Sequence, residues 1–163
     1  MEVNLDCELM AKYLGCIIAL KNFYQSCHWR SKGKGYYGDH LLFERLYEDM
    51  IAEADAFAEK SVAMSGEKSV CPIKSHKYVL KILSLFETTK GEVPSNYELI
   101  DMAFNANSFF MQATEKLFDI LDKEEELTLG LDDFFTSIYS KHEEHYYLLK
   151  QRSADRKKEG QDD

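Results

Sequence analysis

Apolar residues recur along this chain every third or fourth position, in four long stretches separated by polar or glycine-bearing breaks. That spacing places them on one face of an α-helix. The first predicted helix runs from Leu5 to Arg30, with Leu9, Ile17, Leu20 and Tyr24 on its apolar stripe. Ser31-Lys32-Gly33-Lys34-Gly35 then breaks it, since closely spaced glycines favour a turn. A second helix is predicted from Tyr37 to Ser65, its core face formed by Leu42, Phe43, Leu46, Tyr47, Met50, Ala54 and Phe57, with Gly66 as C-terminal cap. A third opens after Ser95, which forms a capping-box pattern with Glu98. It continues to Lys123 and carries Ile100, Phe104, Met111, Leu117, Phe118 and Leu121. The fourth spans Leu131 to Lys150, with Phe134, Phe135, Ile138, Tyr139, Tyr146 and Leu149 on its apolar side. The connection before Ser95 holds a short apolar helix near Lys77 to Phe86.

Connection lengths set the topology. Short turns join the first helix to the second and the third to the fourth, so each pair forms an antiparallel hairpin. About thirty residues link the second helix to the third, enough to run the length of a bundle and leave those two parallel. The expected fold is all-α: a ferritin-like four-helix bundle with a short extra helix in the long crossover. Residues 1–152 form one domain, and 153–163 form a polar, mobile tail. The only prolines, Pro72 and Pro94, both fall in the crossover and leave the long helices uninterrupted.

Charge changes the picture next. The net charge is −9, the opposite of what a duplex-binding surface needs and suited to attracting cations. No apolar run approaches the ~20 residues of a membrane span, so no membrane partner is expected. The first residues, Met1 to Asp6, are acidic and lack the basic start of a secretory leader. Cys7, Cys16, Cys27 and Cys71 contain no C-x-x-C pair. Reduced thiols and a cytoplasmic location are the expectation.

The candidate chemistry lies in His28, His40, Glu44, Asp55 and Glu59. Four of these sit on the second helix, symmetric about its middle. At about 100° per residue, with His40 as zero, Glu44 falls at about 40°, Asp55 at about 60° and Glu59 at about 100°, all on one face. Yet Glu44 and Asp55 are roughly 16 Å apart along the axis, too far for one metal within one chain. An antiparallel copy of the same helix, crossing near Asp49 and Met50, brings His40 and Glu44 of one subunit against Glu59 and Asp55 of the other. A two-fold interface is self-complementary in this way and yields two shared sites per dimer. His28, at the end of the first helix, is carried beside His40 by the hairpin. Two imidazoles and three carboxylates suit iron, manganese or zinc better than copper(I) or calcium. Spacing alone also admits a plainer reading, a solvated acidic face, because Glu48, Asp49 and Glu53 crowd the same helix. A site inside the bundle is disfavoured. Bundle-core di-iron proteins use Glu-x-x-His pairs, and the residues three before the five histidines are Gln25, Tyr37, Ile73, Tyr139 and His142. His142 and His145 read as ordinary helix residues.

His28-Trp29-Arg30-Ser31-Lys32-Gly33, followed by His40, Glu44, Tyr47, Asp55 and Glu59, resembles the signature of the Dps proteins, the mini-ferritins named as DNA-binding proteins from starved cells. The likeness is detailed through the first two helices and weaker at His142-Glu143-Glu144-His145-Tyr146. The resemblance implies a homo-oligomeric, dodecameric cage that oxidises Fe2+ with H2O2, and also with O2, at a di-iron or single high-affinity iron site on each two-fold interface. It implies ferric mineral stored inside and protection against oxidative stress. His28, His40 and Glu44 would come from one subunit, Asp55 and Glu59 from its partner. Trp29 would lie near the iron, or serve only as an interface aromatic, and Lys32 would make a supporting ion pair. Asp119, Asp122, Glu124, Glu125 and Glu126 would line a three-fold pore admitting iron, unless they are simply a solvated helix end. Glu44 departs from the family, which usually carries Asp there, and reaches one methylene further. The chain also lacks the family's lysine-rich tail: Arg152, Arg156, Lys157 and Lys158 are offset by Asp155, Glu159, Asp162 and Asp163. DNA binding is therefore expected to be weak or absent. The competing readings are a structural or DNA-associated cage with a lapsed ferroxidase site, and a helical interaction module with no cage.

Overall fold

The computed structural model describes residues 5–89 and 92–154. Five α-helices follow one another: α1 Cys7–Arg30, α2 Tyr36–Ser65, α3 Pro72–Phe86, α4 Asn96–Lys123 and α5 Leu129–Ala154, with a 3-10 turn at Glu67–Val70 before α3. Their boundaries follow local chemistry. The Asp6 carboxylate accepts from the Glu8 N–H and opens α1. Ser95 and Glu98 close a full capping box at the start of α4. Gly66, at φ 75°, ends α2 in a conformation that favours glycine.

α1, α2, α4 and α5 form the bundle, and α3 lies across α1 in the long crossover. Tyr13 of α1 marks the centre of the core. Its ring meets Phe57 of α2 at 4.9 Å, Phe110 of α4 at 5.6 Å and Phe135 of α5 at 5.7 Å. Its hydroxyl is satisfied by Thr114 Oγ1 at 2.7 Å. One buried aromatic thus draws on all four helices, and its polar tip has a partner, as burial requires.

The crossover helix is longer than its apolar run suggests. It starts at Pro72, not Lys77. Proline suits a first helical turn because its φ is already set and its missing N–H would have had no intrahelical acceptor. Of the apolar residues expected there, Val79 and Ile82 are buried, while Leu80 and Leu85 face outward. α5 extends through Ala154, two residues into the expected tail. The rest of that tail, 155–163, lies outside the described residues. Among the described residues, no helix is long and apolar enough to cross a membrane. All four cysteines are free thiols.

Candidate metal centre

Five residues separate α1 from α2, and a network of hydrogen bonds fixes how the helices meet. Gly33 and Gly35 take φ of 67° and 83°, which lets the chain reverse tightly. Asn96, the first residue of α4, accepts from the Lys32 N–H at 3.0 Å and donates to the Lys32 carbonyl at 2.6 Å. Its amide also lies 3.0 Å from Asp39 Oδ2. Asp39 is buried and accepts from Arg152 of α5 through Nε at 2.6 Å and Nη2 at 3.2 Å. One carboxylate therefore ties the start of α2 to the start of α4 and the end of α5. Lys32 itself is held by its main chain on Asn96.

The turn brings His28 and His40 into contact. Their rings stack with centroids 3.7 Å apart and planes inclined by 23°. Nδ1 of His28 lies 2.9 Å from the carbonyl oxygen of His40, and Nδ1 of His40 lies 3.1 Å from the carbonyl oxygen of His28. A carbonyl can only accept, so in each neutral ring Nδ1 carries the proton and Nε2 carries the lone pair. Metal-ligating histidines are oriented in this way by an acceptor on the other nitrogen. Tyr47 stands edge-on to His28 at 5.3 Å, and the Tyr36 ring lies 5.0 Å from His40.

Glu44 follows His40 by one helical turn and is half-buried, whereas Asp55 and Glu59 are exposed far along α2. The structure thus joins His28 to His40, places Glu44 one helical turn after His40 on α2, and leaves Asp55 and Glu59 further along that helix. Among the described residues, no three His, Cys, Asp or Glu side chains are arranged to hold a cation within one chain. The face of α2 that carries these residues also exposes Leu41, Ile51 and Val62, and Trp29 beside it is 70% exposed. Asp119, Asp122, Glu124 and Glu125 are exposed at the end of α4 and the following turn, with Glu126 half-buried. Acids there lie at the negative end of the helix dipole, which makes the local potential more negative.

A second polar cluster occupies the bundle centre, where the sequence pointed to ordinary helix residues. His142 and His145 are fully buried. His142 Nε2 lies 3.2 Å from Glu53 Oε2, and His145 Nε2 lies 2.9 Å from Asp49 Oδ2. Asn107 of α4 accepts from His142 Nδ1 at 2.6 Å and donates to the His142 carbonyl at 3.0 Å. Tyr24 of α1 donates to the same Asn107 oxygen at 3.2 Å. Burial holds His142 down to about 3 and His145 down to about 4, so both are neutral. Burial pushes the Glu53 carboxyl up to about 8. The sequence did carry a signal for this cluster. Leu46, Asp49, Met50, Glu53 and Phe57 share one helical stripe, as do Ile138, His142, His145 and Leu149. Polar residues interrupting a core stripe are the informative exception.

The ferritin-like domain family matches residues 7–155, which takes in every helix. General stress protein 20U of Bacillus subtilis (strain 168) is 26% identical over 123 residues, covering 76% of this chain and 79% of that protein. DNA protection during starvation protein 2 of Bacillus anthracis is 26% identical over 124 residues, with coverage of 76% and 79%. Among solved structures, Dps from Thermosynechococcus elongatus aligns with a TM-score of 0.74 at 19% identity, over 89% of this chain and 87% of that one. A Dps protein from Bacillus brevis gives a TM-score of 0.74 at 21% identity, over 89% and 92%. At such identities the structures speak for the fold alone.

Proposed function

The chain belongs to the ferritin-like family and, within it, to the Dps proteins; from that premise we propose that it oxidises ferrous iron at sites shared between two-fold-related copies and stores the ferric product in a dodecameric cage. Iron storage is the coarse role that family membership carries. The observation that most supports the finer reading is the His28–His40 pair. Each imidazole bonds through Nδ1 to the other residue's main-chain carbonyl, which fixes its tautomer, so two Nε2 lone pairs are prepared before any metal arrives.

The rest of the ligand set follows from symmetry. Glu44 lies on the histidine side of α2, and Asp55 and Glu59 lie at its far end on the same face. Exposed Leu41, Ile51 and Val62 interleave with them, so the face offers apolar contact as well as ligands. A second copy laid antiparallel across this face supplies Asp55 and Glu59 to the histidines of the first. Three carboxylates then offset the charge that iron gains on oxidation. Two ferrous ions each give one electron to a peroxide, whose O–O bond breaks to yield two hydroxides. O2 is an alternative acceptor. The acids ending α4 draw iron towards the cage, and the charge of −9 per chain opposes DNA phosphate, so storage and peroxide removal outweigh DNA coating.

Anaerobic ferrous loading followed by a limiting peroxide pulse tests this reading through ferric absorbance. Wild type is expected to oxidise iron rapidly, and His28→Ala/His40→Ala to slow it by roughly 10–100-fold or more. No oxidation above the buffer blank in wild type would mean that Glu44, longer than the usual Asp, has disabled the site. A structural cage would then become the better reading.

A further inference from the structure

We propose that the cleft beside the α1–α2 turn binds the phosphate group of a small organic monoester, such as a nucleoside monophosphate. The cleft has a volume of about 860 Å³ and is walled by that turn, the first turn of α2, the start of α4 and Arg152 of α5. Its size suits a small organic ligand.

Charge gives the sign of the ligand. Lys32, Lys34 and Arg152 line the cleft, and among the described residues that line it Asp39 alone is acidic. Asp39 is buried and already answered by Arg152 and Asn96. The two exposed ammonium groups therefore make the cleft positive. Lys32 is also set in place, because Asn96 binds its main-chain N–H and its carbonyl. This cationic concavity stands on a chain of net charge −9. At physiological ionic strength, exposed charges more than ~8 Å away are largely screened. A small anion in the cleft feels the lysines, whereas a nucleic-acid duplex extends far enough to meet the acidic surface around them. Leu42 and the Tyr97 ring, over which the Arg152 guanidinium lies at 5.0 Å, add an apolar wall for an organic group.

Gly38 is the residue that the fold leaves unexplained. Gly33 and Gly35 have positive φ and need glycine. Gly38, in the first turn of α2, does not have positive φ, and a Cβ there would meet nothing within 4 Å. Neither conformation nor crowding calls for glycine, which weakens a helix relative to alanine. Gly38 lines the cleft, and a bare main chain there lets an oxyanion approach closely. Gly35, the N-cap of α2, gives the helix no side-chain cap, so an oxyanion can serve the first-turn N–H groups. Gly33-Lys34-Gly35-Tyr36-Tyr37-Gly38 has the spacing of a dinucleotide-binding loop. It follows a helix and not a strand, so what it shares with such loops is only the bare helix start beside cations.

The test is calorimetric titration of the assembled, full-length protein at physiological salt with adenosine monophosphate, inorganic phosphate and adenosine. Saturable binding of adenosine monophosphate at about one per chain is expected, weaker binding of inorganic phosphate, and none of adenosine. Lys32→Gln and Lys34→Gln lie at exposed positions and should each weaken binding roughly 3–10-fold. Gly38→Ala separates ligand binding from a structural role. Its thermal midpoint should rise, because alanine favours the helix, while its affinity for the monophosphate falls. No saturable binding, adenosine binding as tightly as its monophosphate, inorganic phosphate binding more tightly than the monophosphate, or affinities untouched by all three substitutions would each overturn the proposal. The titration uses no iron, so its failure leaves the ferrous-oxidation reading untouched.

Discussion

At the scale of single residues, buried polar groups carry the largest consequences. Asp39 is the sharpest case: its carboxylate is buried and answers both Arg152 and Asn96. Asp39→Ala removes the carboxylate that binds Arg152 through Nε and Nη2 and loosens the turn beneath His40. The expected cost is about 2–3 kcal/mol, read as a lower denaturation midpoint; an unchanged midpoint would show that the network does not hold the helix ends. The bundle-centre cluster gives a pH signature. His142 and His145 are held down from 6.5 to about 3 and about 4, and Glu53 is raised from 4.5 to about 8, chiefly by burial. Below pH 6.5 the unfolded chain gains protons on two imidazoles that the folded chain refuses, so stability falls on acidification. Between 4.5 and about 8 the folded Glu53 keeps a proton that the unfolded chain has lost, so its contribution declines as pH rises. The two imidazoles outweigh the one carboxyl below 6.5, and the carboxyl acts alone above it. Thermal midpoints should therefore peak near pH 6.5 and decline on both sides. A midpoint that rises steadily to pH 8 would contradict this. Residue-scale legibility was uneven. His28 and His40 stood out by spacing and do meet, but their mutual carbonyl bonds depend on the three-dimensional turn and left no trace in the pattern. Asp49 and Glu53 were hidden among the other acids of the same helix.

At the scale of elements, the four long helices were legible because each carries a continuous stripe, and three have a local boundary signal: Gly33 and Gly35 after α1, Gly66 after α2, and the Ser95–Glu98 box that opens α4. The crossover was less so. The 3-10 turn at Glu67–Val70 and the first turn of α3 have no apolar periodicity, and only Pro72 marked that start. What seats α3 is a close approach to α1. A Cβ at Gly15 would lie 2.8 Å from the Ser75 carbonyl oxygen and 2.8 Å from Tyr78 Cβ. Gly15→Ala must therefore push α3 away from α1, at a cost of about 1–3 kcal/mol. Faster amide exchange across Pro72–Phe86 with a lowered thermal midpoint is the expected result. Unchanged exchange there would mean that the helices do not pack so closely.

At the scale of the whole molecule, α2 distributes its polar groups unevenly: the His28–His40 pair lies at one end of its face and Asp55 and Glu59 at the other, with exposed apolar residues between. Such a face is complementary to itself when rotated by a half-turn. The proposed two-fold pattern was suggested by the sequence, because symmetry about a helix midpoint appears as symmetry of spacing. The number of copies was not, because it depends on contacts between surfaces that share no such register. Twelve chains of 18.9 kDa correspond to a particle of about 227 kDa. The most direct test of the shared site is complementation between two inactive variants. His40→Ala and Asp55→Ala are co-expressed, the mixed dimers verified by mass, and peroxide-driven ferrous oxidation measured against each variant alone. In a mixed dimer one site carries both substitutions and the other carries neither, so about half the wild-type rate should return. A verified mixed dimer no more active than the single variants would contradict a site shared across the two-fold axis.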